Sequence, residues 1–296
     1  MAMVLAFSSG CEPPPLTDNG VMAVIGQLGL GDGSFRYPRA IATAPDGRFF
    51  VVDKAGRVQR FSADGVFETK WDMPESAAGK PVGLSVHPDG RLFVADTHYH
   101  RVTVFDRDGQ LLGSFGREGN GDGEFRLPTD VAFDAHGNIY VAEYQGNDRL
   151  SKWSPTWQFL GILGAEPIEE KRLSRPAGIV IDEEQTLWIA DACNHRIVRM
   201  SLTGEVLTVF GQFGENPGQL RYPYGIDLAP DGSVMICEYE GQRLQWFTQA
   251  GKPIRAWGRP GRAPGGLSSP WGAAYGPDGN VYIVDSLNHR VQIVRP

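Results

Sequence analysis

Pro38-Arg-Ala-Ile-Ala-Thr-Ala-Pro-Asp-Gly-Arg-Phe-Phe-Val-Val-Asp53 decides the fold, because the same grammar returns five more times along the chain. The counterparts begin at Pro81, Pro128, Pro176, Pro223 and Pro270, spaced by 43, 47, 48, 47 and 47 residues. A period of about 40–50 residues holding several short strands indicates propeller blades rather than stacked helices. No stretch sustains the apolar period of an amphipathic helix.

Each unit reads as four strands. Strand a follows the proline and ends at a tight turn, written Pro-Asp-Gly at 45–47, 88–90, 230–232 and 277–279, where glycine tolerates positive φ. Strand b, such as Leu92-Phe93-Val94-Ala95-Asp96, is nearly continuous in apolar residues and so is expected to be buried on both faces. Strand c alternates, as in Arg101-Val102-Thr103-Val104-Phe105, and an Asp-Gly turn then leads to the outer strand d. The sixth unit reaches only its strand c at Pro296, and Val21-Met22-Ala23-Val24-Ile25-Gly26 supplies the strand d pattern it lacks. The expected fold is therefore all-β: a six-bladed β-propeller of four-stranded antiparallel blades, its ring closed by the N-terminal strand pairing with the C-terminal blade. Residues 20–296 form this one domain, with 20–26 completing the sixth blade. Closure removes the unpaired edges of an open sheet.

These residues resemble the NHL repeat family, and the resemblance covers residues 20–296. Its marks are Asn194-His195-Arg196-Ile197 and Asn288-His289-Arg290-Val291, each following the acid that ends strand b. The linkers Gly31-Asp-Gly-Ser-Phe-Arg-Tyr-Pro38 and Gly121-Asp-Gly-Glu-Phe-Arg-Leu-Pro128 are a further mark. The resemblance implies the propeller but no single activity.

With 296 residues, 41% of them hydrophobic, the chain has ample material for a core. Its 28 basic residues are outnumbered by 35 acidic ones, a net charge of −7 that argues against neutralising nucleic-acid phosphates. No apolar run approaches the ~20 residues that span a bilayer. Residues 1–19 break the repeat pattern: an apolar stretch ends in Ser8-Ser9-Gly10-Cys11 and a Pro-rich tether follows. This looks like a truncated lipoprotein signal peptide, in which Cys11 is acylated and anchors an extracytoplasmic protein in the periplasm or at the cell surface. A basic leader is lacking, which a start upstream of Met1 would explain. The alternatives are another exported form and a cytoplasmic chain with a frayed terminus. Cys193 and Cys237 read as buried, unpaired thiols.

An acid ends every strand b and an arginine follows four to six residues later. The pairs are Asp53 with Arg57, Asp96 with Arg101, Glu143 with Arg149, Asp191 with Arg196, Glu238 with Arg243, and Asp285 with Arg290. Carboxylate and guanidinium can pair bidentately, and a feature of all six blades serves the repeat rather than a unique site. His100, His195 and His289 recur in alternate blades, but on turns distant from the axis, so a three-histidine metal site is not expected. Peptidyl-hydroxyglycine amidating lyases resemble NHL propellers and hold zinc through histidines directly after the strand-a proline. Here those positions are Arg39, Val82, Thr129, Ala177, Tyr224 and Trp271. The resemblance therefore carries no lyase chemistry over, and no calcium motif of gluconolactonase-like propellers or Gly-x-Ser-x-Gly signature occurs.

What differs between blades is more telling. The d–a linkers and b–c turns should emerge on one face, bringing Arg39, Tyr99, Tyr144, Tyr224, Tyr239 and Trp271 around the channel mouth. Exposed aromatics with arginine are the composition of binding hot spots. For Trp271 and Tyr224 the other reading is that the rings cap the apolar end of the channel. The expected function is a non-catalytic binding or scaffold propeller that presents this face to a protein or peptide partner, with no catalytic residue, no cofactor and no nucleic acid. The membrane would be met only through Cys11. The alternative is a divalent-metal-dependent lyase or hydrolase at the channel mouth.

Overall fold

Strand b is apolar along its whole length because it lies between two neighbouring blades and buries both faces. Phe49–Asp53, Leu92–Asp96, Val234–Glu238 and Val281–Asp285 are buried at every residue. In the computed structural model, which describes residues 20–165 and 172–296, these strands belong to six four-stranded antiparallel sheets. Cys11 and most of the charged linker before Leu173 lie outside the described residues. The innermost strands a are Pro38–Thr43, Gly83–Val86, Leu127–Phe133, Pro176–Ile181, Pro223–Leu228 and Pro270–Tyr275. In five of them the register slips just after the proline. Proline lacks an N–H for the ladder and is confined to the strand start, and the bulge after it turns the chain from linker into blade.

The sixth sheet has the order strand d, c, b, a, with Val21–Ile25 as its outer strand. Val21–Ile25 pairs antiparallel with Arg290–Val294, Ile25 standing opposite Val291. The core then forms between blades rather than within them. Phe49, Phe61, Tyr282, Val284 and Val291 join the first blade to the sixth, with Phe49 and Phe61 stacked at 5.0 Å. Each such side chain contributes about 1.5–3 kcal/mol on burial.

The d–a linkers fold into small loops that drop one apolar side chain into the interblade space. Phe35, Phe125, Leu220 and Leu267 are those plugs, all fully buried. The glycine ending strand d is needed for this. Gly211 has φ +91°, and a Cβ there would come within 2.7 Å of Leu220. The linker after the third blade lacks the Gly-x-Gly-x-Phe pattern, yet Leu173, only 2% exposed, still serves as its plug.

One cysteine departs from expectation. Cys237 is buried in strand b, but Cys193 is exposed, because strand b ends at Asp191 and Cys193 falls on the short 3₁₀ turn beyond it. Both thiols are free. Trp157, on the c–d turn of the third blade, packs on the neighbouring blade, stacked on Phe115 at 5.7 Å.

Candidate functional site

The face carrying the linkers and b–c turns is built by one repeated clamp. Every strand-b acid contacts its arginine, at distances from 2.6 Å for Glu238–Arg243 to 3.2 Å for Asp53–Arg57. The acids are fully buried or nearly so, and burial pushes the carboxyls of Asp53, Asp96 and Asp191 upward against the pull of their partners. In most blades the same guanidinium also donates to linker carbonyls: Arg290 to Arg262, Ala263 and Gly266, and Arg243 to Glu215 and Gln219.

The Asn-His-Arg triplet follows from this clamp. Asn194 donates to Asp191 at 2.8 Å and to the Arg172 carbonyl at 3.0 Å. His195, in the left-handed conformation, accepts the Tyr222 N–H at Nδ1 and so ties its blade to the next linker. His289 does the same with the Tyr37 N–H across the ring closure. Burial holds the pKa of His195 and His289 below the ordinary value, consistent with neutral acceptors. Asp148 replaces the histidine in the third blade and accepts the Arg175 N–H at 2.7 Å.

Inside the ring the strands a leave their inner edges unpaired, and polar side chains cap those edges. The Thr129 hydroxyl donates to the Pro176 carbonyl, Ser85 to Val131, and Thr43 to Tyr275, each across to the adjoining blade. Two carboxylates do likewise: Asp130 accepts the Ile179 N–H at 3.0 Å, and Asp227 the Tyr275 N–H at 2.8 Å. Both line the channel, a cavity of ≈ 320 Å³ along the axis. Desolvation, only partly offset by the N–H donors, pushes Asp130 up to about 7 and Asp227 up to about 6. The charge of Asp227 adds to the rise at Asp130.

At the mouth of this channel five of the six residues singled out for binding converge. Tyr224 stacks on Tyr239 at 4.7 Å, and Trp271 stands edge-on to both, at 5.1 Å and 5.3 Å. Arg39 lies over the Trp271 ring at 4.8 Å. Tyr144 joins through Arg175, whose guanidinium lies 4.9 Å from the Tyr144 ring centre and 5.1 Å from that of Tyr224. Trp271, Tyr144 and Tyr239 are half-buried, whereas Tyr224 is 7% exposed and forms the floor. Tyr99 is the exception. Its hydroxyl accepts the Ala78 N–H and Arg101 covers its ring, so it props the linker of the second blade and stands outside the cluster.

Three residues of this region escape a reading of the sequence by repeat position. Arg175 lies in the irregular linker, and its signal is an arginine directly before a strand-a proline. Asp130 and Asp227 are signalled by a carboxylate within a strand otherwise written Thr129-Val131 and Ile226-Leu228. Among the described residues no three His, Cys, Asp or Glu side chains lie close enough to hold a metal ion.

Comparison with known proteins agrees with this architecture. The NHL repeat family matches residues 79–105, 173–200 and 267–294, the blades that carry His100, His195 and His289. Mouse NHL repeat-containing protein 3 is 27% identical over 162 residues, 49% of this chain and 45% of its own length. Protein brain tumor of Drosophila melanogaster is 25% identical over 130 residues, 44% of this chain and 12% of its length. Xenopus laevis peptidyl-glycine alpha-amidating monooxygenase B is 31% identical over 129 residues, 40% of this chain and 14% of its own. The matches thus span less than half the length of these curated relatives. Among solved structures, a streptogramin B lyase superposes with a TM-score of 0.66 at 17% identity, covering 91% of this chain and 95% of that one. At that identity the likeness is one of fold.

Proposed function

We propose that this chain, an NHL-repeat β-propeller, is a binding module that presents its linker and b–c turn face to a protein or peptide partner. The observation that carries the reading is the aromatic–arginine cluster at the channel mouth. Four blades and the linker before the fourth contribute to it, and no repeat position requires it. The other side chains of that face are spent on the clamp: acids on arginines, asparagines on acids, histidines on the next linker. Arg39, Tyr144, Arg175, Tyr224, Tyr239 and Trp271 vary from the repeat and contact one another at the channel mouth. Aromatic rings beside arginine supply large contact area at low entropic cost, and the closed ring holds them preorganised.

The setting we infer is extracytoplasmic, with the propeller tethered to a membrane through acylated Cys11. The alternative, a metal-dependent lyase or hydrolase at the channel mouth, draws on fold likeness alone. The binding reading is tested with a photo-crosslinking residue at Tyr239 and, as control, at Gln249 on the opposite face. A partner captured in intact cells from Tyr239 and lost in Trp271→Ala is the expected result. Equal capture from both faces, or capture indifferent to Trp271→Ala, removes this surface from consideration. Membrane release of a Cys11→Ser variant is the matching result for the anchor, and unchanged fractionation refutes it.

A further inference from the structure

The arginines of the clamp each hold a carboxylate, but Arg39 and Arg175 hold none. Among the described residues neither guanidinium forms an ion pair or a hydrogen bond, and the Nε of Arg39 is buried without a partner. Stacking on rings covers the faces of a guanidinium and leaves its in-plane N–H donors free. Arg39 is clamped on Trp271, and Arg175 lies against Tyr144 and Tyr224, so among the described residues those donors meet no acceptor. The two cations also repel one another: burial and the charge of Arg175 both lower the pKa of Arg39. The hydroxyls of Tyr144, Tyr224 and Tyr239 likewise make no hydrogen bond among the described residues. Two half-buried cations with free donors, walled by aromatic rings, are a site for a counter-charge brought by a ligand.

We propose that the channel mouth binds an organic carboxylate carried on an apolar or aromatic body. The carboxylate lies between Arg39 and Arg175, and the body rests on Trp271, Tyr224 and Tyr239. A carboxylate suits the planar forks of two guanidiniums, and the aromatic walls favour an attached apolar group over a small hydrated anion. The cavity below, ≈ 320 Å³, is lined by Ile41, Val131, Ile179 and Ile226 together with the edge-capping carboxyls of Asp130 and Asp227, and has room for such a body on its apolar side. The carboxylate can belong to a peptide or to a free small acid. The inference rests on the binding role given to this face and narrows it to a ligand chemistry.

The test is calorimetric titration of the full chain with N-acetyltryptophan, with its uncharged amide, with acetate, and with a short peptide ending in tryptophan as acid or amide. Each acid should bind at least about tenfold more tightly than its amide, the expectation for a charge-assisted contact, and added salt should weaken it. Acetate should bind more weakly than N-acetyltryptophan. Binding of the free acid alone identifies a small-molecule site, and tighter binding of the peptide acid identifies a peptide site. Arg39→Met and Arg175→Met should each abolish the preference for acid over amide. Because each removes an unpaired cation, each should leave the Tm unchanged or raised, whereas an arginine with only a structural role would lower it. Acid and amide binding alike, or no binding of any acid, overturns the proposal. In that case capture from Tyr239 that survives Arg39→Met leaves the partner-binding reading standing, and its absence removes both.

Discussion

Replacing Asp130 with asparagine tests the physical account of the channel directly. The variant keeps an acceptor for the Ile179 N–H, bonded at 3.0 Å, while removing the charge. In the folded chain this carboxyl is raised from 3.8 to about 7, by desolvation first and by the charge of Asp227 in addition. A carboxyl with a raised folded-state pKa binds its proton more tightly when folded. Its contribution to stability is therefore complete below pH 3.8 and is lost as the pH rises through 7. At about 1.4 kcal/mol per pH unit, that gap corresponds to ~4 kcal/mol once the folded carboxylate is ionised. Channel water and local relaxation lower the figure, so Asp130→Asn is expected to stabilise the fold by ~2–4 kcal/mol at pH 8.5. At pH 4, where the native carboxyl is protonated, the gain should fall close to zero. Urea unfolding of the native and variant chains at both pH values, followed by tryptophan fluorescence, measures the difference. Titrating groups remote from Asp130 cancel between the two chains, whereas Asp227 is relieved of the same repulsion and adds to the gain at pH 8.5. Destabilisation at pH 8.5, or an equal effect at both pH values, refutes the reasoning.

Arg290→Met leaves Asp285 buried without its cation and takes a guanidinium donor from three linker carbonyls, of which Ala263 and Gly266 keep another donor; a loss of about 3–5 kcal/mol in urea unfolding is expected. Gly211→Ala forces a side chain onto φ +91° and against Leu220, so the unfolding midpoint should fall by the equivalent of ~2 kcal/mol, whereas substitution at Gly90, with nothing within 4 Å, meets the backbone strain alone. The dialysed protein should hold no stoichiometric zinc or calcium by elemental mass spectrometry; one ion per chain would revive the metal-dependent alternative.

How far the site was legible follows from which residues obey the repeat. Arg39, Tyr224 and Trp271 share one position after the strand-a proline, and Tyr144 and Tyr239 share one after the strand-b acid. Alignment of the blades therefore singles them out as departures from a common pattern. Tyr99 shares the b–c turn with them, so blade alignment alone groups it with them. The second blade, however, has a longer linker side chain network, in which Ala78 and Lys80 engage Tyr99 and His98. Arg175 lies in a linker that departs from the common pattern, so no blade comparison points to it. Asp130 and Asp227 are not legible from spacing, because a carboxylate in a strand reads as a break in hydrophobicity until the adjoining blade supplies the N–H it caps.

The sequence alone determined the ring: its blade count, its strand order and its closure by residues 20–26. Each of these is a matter of period and alternation, which are properties of local spacing along the chain. The identity of the clamp was within reach for the same reason, since acid and arginine lie within six residues of each other. The tertiary structure decided the chemistry of the axis. Whether a cation has a counter-charge, or a carboxyl its proton, depends on which side chains from separate blades meet. Arg39 and Arg175 stand 136 residues apart in the chain, yet Arg39 feels the charge of Arg175 because the ring brings both to the channel mouth.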